Sequence, residues 1–176
     1  MKRIILLCAV VLMLVNCSSS YSESPTWSLT DINGKSHTFP ESAKDKTTII
    51  LFWATWCPYC KRLMPHLQSA LYQYGEQLNL QIFALNINED ANPAEYIEEN
   101  GYDFLLFKNA EEVAKLYEIK GTPGLLVFDT NGQLRFDLRK VQSGHLLKKD
   151  SPHWQTAIKT APYWGSELRK SLELLQ

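Results

Sequence analysis

From Thr47 to Trp53 the chain is β-branched, aliphatic and aromatic, with no polar residue alternating in. A half-exposed strand alternates, so this run predicts a central strand covered on both faces. Pro58 follows shortly and suits the first turn of a helix, where its missing N–H leaves nothing unsatisfied. Leu63, Met64, Leu67, Ala70 and Leu71 continue with helical spacing. Upstream, 27–30 and 36–39 are extended runs flanking Asp31-Ile32-Asn33-Gly34-Lys35. An Asn-Gly between two such runs predicts a β-hairpin. His37 reads as an exposed strand residue.

Downstream of a turn at 75–79, Leu80 to Ile87 is a second core strand. Asn92, Pro93 and Glu95 read as an N-cap, a first-turn proline and a capping-box glutamate, with the helix stopping near Asn100-Gly101. Strand–helix–strand order with short links predicts parallel pairing by a right-handed crossover. Asp103 to Phe107 is a short apolar run, and Asn109 with Glu112 reads as a second cap. Leu125 to Phe128 is a strand, 129–132 a tight turn, and Gln133 to Leu138 an antiparallel return. Beyond Arg139, Gln142 to Pro162 reads as a loop followed by a short helix; an insertion near a partner groove is the alternative. Ser166 to Leu175 is the closing amphipathic helix. Trp154 and Trp164 would cover exposed core.

The N-terminus carries a different pattern. A basic Met1-Lys2-Arg3 precedes an apolar run from Ile4 to Val15, too short for the ~20 residues of a spanning helix and suited to a secretory signal. Residues 1–20 are therefore read as a signal peptide ending in a serine-rich tether, and 25–176 as one domain with a C-terminal extension from about 140. Leu14 to Cys17 resembles a bacterial lipobox with Cys17 as the lipidated residue, although Asn16 departs from the usual small residue; ordinary cleavage near Ser18–Ser20 is the alternative. The formal charge of −1 over 176 residues gives no sign of bulk nucleic-acid binding. Acidic residues gather between Glu89 and Glu118 and basic ones between Arg135 and Lys159, which reads as solvated faces.

Four cysteines are present. Cys8 leaves with the leader and Cys17 lies at its end, so Cys57 and Cys60 are the working pair. A thiol at a helix N-terminus meets free backbone N–H groups and the positive end of the helix dipole, and its pKa can fall from ~8.5 to between ~3.5 and ~7.5. Cys57 is then the nucleophile, and Cys60, one turn on, the resolving thiol. A structural disulfide or half a zinc site are the alternatives; a four-cysteine zinc site needs a second pair.

Trp56-Cys57-Pro58-Tyr59-Cys60-Lys61 resembles the active site of the thioredoxin superfamily. Pro65 sits where thioredoxins carry the helix-kinking proline, and Gly121-Thr122-Pro123 is similar to the family's cis-proline loop. The run from Phe52 to Pro58 resembles the ResA/TlpA/DsbE branch of exported oxidoreductases, and the likeness spans roughly 27–138. It implies an α/β thioredoxin-like fold: a central mixed β-sheet flanked by helices, with an N-terminal β-hairpin. Thr122 and Pro123 would bind the substrate backbone as in strand addition, and Trp56 would be an apolar contact beside Cys57. Pro58 and Tyr59 would tune the potential. Thioredoxins bury an aspartate where this chain has Leu51. ResA-like proteins place a glutamate after the second core strand instead, which makes Glu89 the candidate for moving the proton of Cys60, with a raised pKa. A solvated loop glutamate is the alternative.

These residues point to a periplasmic thiol–disulfide oxidoreductase, attached to a membrane if Cys17 is lipidated, monomeric, with no cofactor or metal. It would reduce disulfides of exported cysteine-containing proteins, for example in cytochrome c maturation, and be recycled by a membrane electron-transfer protein. A disulfide-forming oxidase or isomerase is the alternative. Two rivals differ in class: a copper chaperone using His145 or His153, and a binding module that needs no thiol.

Overall fold

The computed structural model describes residues 24–89, 91–146 and 151–176. The leader, Cys17 and the serine tether lie outside these residues, as does Asp90. Strands β1 (Trp27–Thr30) and β2 (Ser36–Phe39) form the expected antiparallel hairpin. There follow β3 (Thr48–Trp53), helix α1 (Pro58–Tyr74), β4 (Gln81–Asn86), α2 (Pro93–Glu99), β5 (Leu105–Phe107), α3 (Glu111–Leu116), β6 (Gly124–Phe128), β7 (Leu134–Asp137) and α4 (His153–Glu173). The five-stranded sheet has the order β5-β4-β3-β6-β7. β3 pairs parallel with β4 and antiparallel with β6, so the sheet is mixed as expected.

Every residue of β3 is buried, and its alternating side chains separate two cores. Ile49, Leu51 and Trp53 pack with Leu63 and Leu67 of α1 and Leu168 and Leu172 of α4. Ile50 and Phe52 pack with Phe39 of the hairpin and Val113 and Ala114 of α3. A strand walled on both sides cannot afford alternation, which is why its sequence has none. The hairpin covers one edge of the sheet: Ile32 donates its N–H to Leu106 O at 3.1 Å, and Asp31 bridges to Phe107.

Four readings are corrected. His37 is buried rather than exposed. Its Nε2 lies 2.8 Å from Asp31 Oδ2, and its ring meets Phe107 edge-on. Asp31 Oδ1 also accepts the N–H groups of Asn33 and Lys35, so one carboxylate closes the turn and satisfies the histidine. Asn92 stands at the N-cap of α2, yet its side chain makes no capping bond. Asn109 is not a cap: α3 is preceded by Ala110, while Asn109 adopts φ +55°, a left-handed conformation that asparagine tolerates. Most consequentially, the helix after the loop is not short and does not stop before Pro162. α4 is one helix of 21 residues with Pro162 inside it. Its buried Thr156, Ala157, Thr160 and Ala161 lie before that proline and Gly165, Leu168 and Leu172 after it. Packing on both sides outweighs the ~3 kcal/mol an interior proline costs.

Candidate active site

Three segments meet at the C-terminal end of β3. The chain leaves Trp53 and reaches Cys57 within four residues. β4 is parallel, with Asn86 opposite Trp53, so the segment after Asn86 emerges at the same edge. β6 is antiparallel, with Gly124 opposite Phe52, so Thr122-Pro123 enters there too.

Cys57 is the N-cap of α1, in extended conformation (φ −80°, ψ 108°). Its Sγ accepts the N–H of Cys60 at 3.1 Å, and its carbonyl accepts the N–H of Lys61. Pro58 takes the first helical position, as expected. The two cysteines form a disulfide, with Cα atoms 5.3 Å apart, and both are buried. The geometry therefore aims one first-turn backbone donor, the Cys60 N–H, at the Cys57 sulfur, where a thiolate would be stabilised.

Glu89 is joined to this edge, but not as a carboxyl with a raised pKa. Oε2 accepts the Thr55 N–H and Asn86 Nδ2, both at 2.8 Å. Oε1 accepts the Thr55 hydroxyl at 2.7 Å and the Ala91 N–H at 3.2 Å. Burial pushes the carboxyl up, but the Thr55 hydroxyl and N–H, Asn86 and Ala91 outweigh it and hold the pKa at about 2. It is neither a solvated loop glutamate nor a group poised to take a proton near neutrality. It fastens the segment before Cys57 to the end of β4. Thr55 and Asn86 are the residues that sequence reasoning missed; no motif marks a threonine two positions before a cysteine as a carboxylate's partner.

Trp56 is 53% exposed, and its indole N–H donates to Asn88 O at 2.8 Å, so an apolar face stands beside Cys57 with its polar edge satisfied. Tyr59, between the cysteines, is half-buried against α4. The Thr122–Pro123 peptide bond is cis. Gly124 follows of necessity: a Cβ there would lie 2.8 Å from Ile119 Cγ2 and 3.3 Å from Phe52 Cβ. Beside Pro123 a hollow of about 340 Å³ is lined by Ile119, Lys120, Gly121 and Arg139. Arg139 is fixed there, bonding Asp137 through its guanidinium and donating to Tyr117 O at 2.7 Å.

His153 meets Tyr59, whereas His145 stacks edge-on against Tyr163. Among the described residues no group of three or more His, Cys, Asp or Glu side chains could hold a metal ion, and no helix is long and apolar enough to cross a membrane. Trp164 packs against the core as expected; Trp154 is 57% exposed and does not.

The model of the AhpC/TSA family matches residues 22–137, from the hairpin through the return strand. The chain belongs to the AhpC/TSA family. Thiol-disulfide oxidoreductase ResA of Geobacillus thermodenitrificans is 27% identical over 140 residues, covering 78% of this chain and 77% of that one. ResA of Halalkalibacterium halodurans is 27% identical over 133 residues, covering 74% and 72%. Among solved structures, an uncharacterized conserved protein from Geobacillus kaustophilus superposes with a TM-score of 0.66 at 24% identity, over 87% of this chain and 79% of that one. StoA from Bacillus subtilis superposes with a TM-score of 0.53 at 24% identity, over 65% and 87%. These two establish the fold alone. Family, fold and the disulfide at the N-terminus of α1 make the chain a thioredoxin-like thiol–disulfide oxidoreductase.

Proposed function

We propose that this oxidoreductase works in the reducing direction on exported proteins that carry a disulfide. The observation that carries the exchange chemistry is the placement of Cys57 at the N-cap of α1, its sulfur accepting the Cys60 N–H, at the edge where the cis-proline loop also arrives; the reducing direction rests on the likeness to ResA. In the dithiol form the Cys57 thiolate attacks one sulfur of the substrate disulfide. A mixed disulfide forms and one substrate thiolate leaves. Cys60 gives up its proton, attacks Cys57 Sγ and releases the second substrate thiolate. Two electrons have passed to the substrate, and the enzyme is left as the Cys57–Cys60 disulfide. A membrane-borne dithiol donor returns it to the start. Thr122 pairs with the extended backbone around the substrate cysteine, and Trp56 offers an apolar surface to its neighbours. Pro58 and Tyr59 set how firmly the thiolate is held. Glu89, held at a pKa of about 2, positions the segment before Cys57 and does not relay protons. The leader exports the domain, and lipidation of Cys17 tethers it.

One observation favours the opposite direction. A donor on Cys57 stabilises the thiolate, which makes the disulfide more oxidising. The reduction potential separates the two readings. A value near roughly −270 mV, measured against glutathione with trapping of free thiols, fits a reductase; one near roughly −120 mV overturns that direction. Cys60→Ser should accumulate the mixed disulfide through Cys57, and Cys57→Ser should abolish turnover of a disulfide substrate. Turnover in Cys57→Ser would sink the assignment of the nucleophile.

A further inference from the structure

We propose that α4 is part of the redox site, and that His153 is a positioning residue for the Cys57–Cys60 couple, acting through Tyr59. The idea rests on the exchange role of those cysteines and adds a residue lying far beyond the matched family segment. Tyr59 is gripped from two sides by one helix. His153 Nδ1 lies 3.3 Å from the Tyr59 hydroxyl, with the rings nearly perpendicular at 81° and 5.8 Å apart. Trp164 packs on Tyr59 with ring centres 5.8 Å apart. Positions 153 and 164 are three helical turns apart and so share a face. The helix that presents them is itself anchored on α1, with Leu168 and Leu172 wholly buried in the shared core.

The consequence concerns the first turn of α1. The Cys60 N–H reaches Cys57 Sγ through Pro58 and Tyr59 only. The proline ring fixes its own φ, so Tyr59 is the residue whose freedom decides whether that donor stays on the sulfur. In the disulfide the bond between the sulfurs holds the turn closed regardless. In the dithiol that restraint is gone, and the grip on Tyr59 is what keeps the N–H on the Cys57 thiolate. The contact therefore stabilises the dithiol form, and losing it moves the couple toward the disulfide.

The test is the equilibrium of the full domain with glutathione: the Cys57–Cys60 disulfide and two glutathiones against the dithiol and glutathione disulfide. His153→Ala and Tyr59→Phe should each shift it toward the protein disulfide by about threefold to tenfold, tenfold being about 30 mV for this two-electron couple. The double variant should shift it no further than the larger single change, because both remove one contact. His153→Asn, which keeps a side-chain group able to donate to or accept from the Tyr59 hydroxyl, should recover most of the shift. Tyr59→Phe loses one oxygen and keeps the ring packing, so it reads out even if His153→Ala disturbs the start of α4. An unchanged equilibrium in both single variants, or a double variant equal to the product of the two, overturns the proposal. Those results would leave the exchange role of Cys57 standing, since that role is judged separately by turnover in Cys57→Ser.

Discussion

Replacing Glu89 by glutamine should cost far more than an exposed loop substitution, and the cost should vanish in acid. Among the described residues the carboxylate accepts four hydrogen bonds, two on each oxygen, and at least two donors are backbone N–H groups that cannot turn round. Glutamine brings one carbonyl oxygen and one NH2. Wherever the NH2 goes it faces a backbone donor, Thr55 N–H on one side or Ala91 N–H on the other. The Ala91 side is the cheaper, because that contact is longer and the Thr55 hydroxyl beside it can rotate to accept. A folded pKa of about 2 against an ordinary 4.5 corresponds to about 3 kcal/mol, which partial exposure to water reduces to about 2. The folded pKa is depressed, so this stability is fully present above pH 4.5 and is lost as the pH falls toward 2. Urea unfolding of the oxidised protein should therefore show Glu89→Gln less stable by about 2 kcal/mol at pH 7 and by less than about 1 at pH 3. A difference below about 0.5 kcal/mol at pH 7, or one that does not shrink at pH 3, would refute the clamp.

Three further changes test the frame around the site. Asp31→Ala should cost about 2 kcal/mol in urea unfolding, since it strands buried His37 and two turn N–H groups together. Gly165→Ala should destabilise despite better helix propensity. The new Cβ would lie 2.8 Å from His66 Cβ and 2.9 Å from its Cγ, and such overpacking costs about 1–3 kcal/mol against the ~1 gained; a raised melting temperature would contradict this. Arg139→Ala should raise KM for a disulfide substrate more than it lowers kcat, because it frees the carbonyls of Tyr117 and Glu118 that hold the segment leading into Thr122; a change confined to kcat would contradict it.

The sheet was legible because its signals are local. A strand sandwiched between two cores has no polar face to hide, so Thr48 to Trp53 declares itself. The hairpin, the turn at Asp129 and the proline after Cys57 are each fixed by residues within a few positions. His37 was misread for the opposite reason. It shares the inward face of β2 with Phe39, but a histidine on that face makes sense only once Asp31 is known to reach across the turn to it. Asn109 was misread because asparagine serves two ends, a capping side chain and a tolerant backbone, and the chain uses the second. Pro162 misled most, since local propensity argues against a helix that the buried faces of α4 enforce from both sides.

The same division explains the site. Cys57, Cys60, Pro58 and the cis-proline stand in motifs whose spacing carries their chemistry, so a single sequence suffices to find them. The Glu89 position was legible; its electrostatics were not, because a carboxyl's pKa depends on donors supplied by Thr55, Asn86 and Ala91, none of which a motif names. On the reading proposed above, that inverts the role. A carboxyl desolvated without donors would wait for a proton near neutrality, whereas one given the four donors seen among the described residues is held in its charged form and, on that reading, acts through the chain it holds. If so, the proton of Cys60 must leave by another route, and the burial of that thiol makes the opening of the edge by the incoming substrate the natural moment for it. Solvent isotope effects on single-turnover resolution should then be unchanged in Glu89→Gln even where the rate falls, the signature of a residue that places the sulfurs and leaves the proton alone.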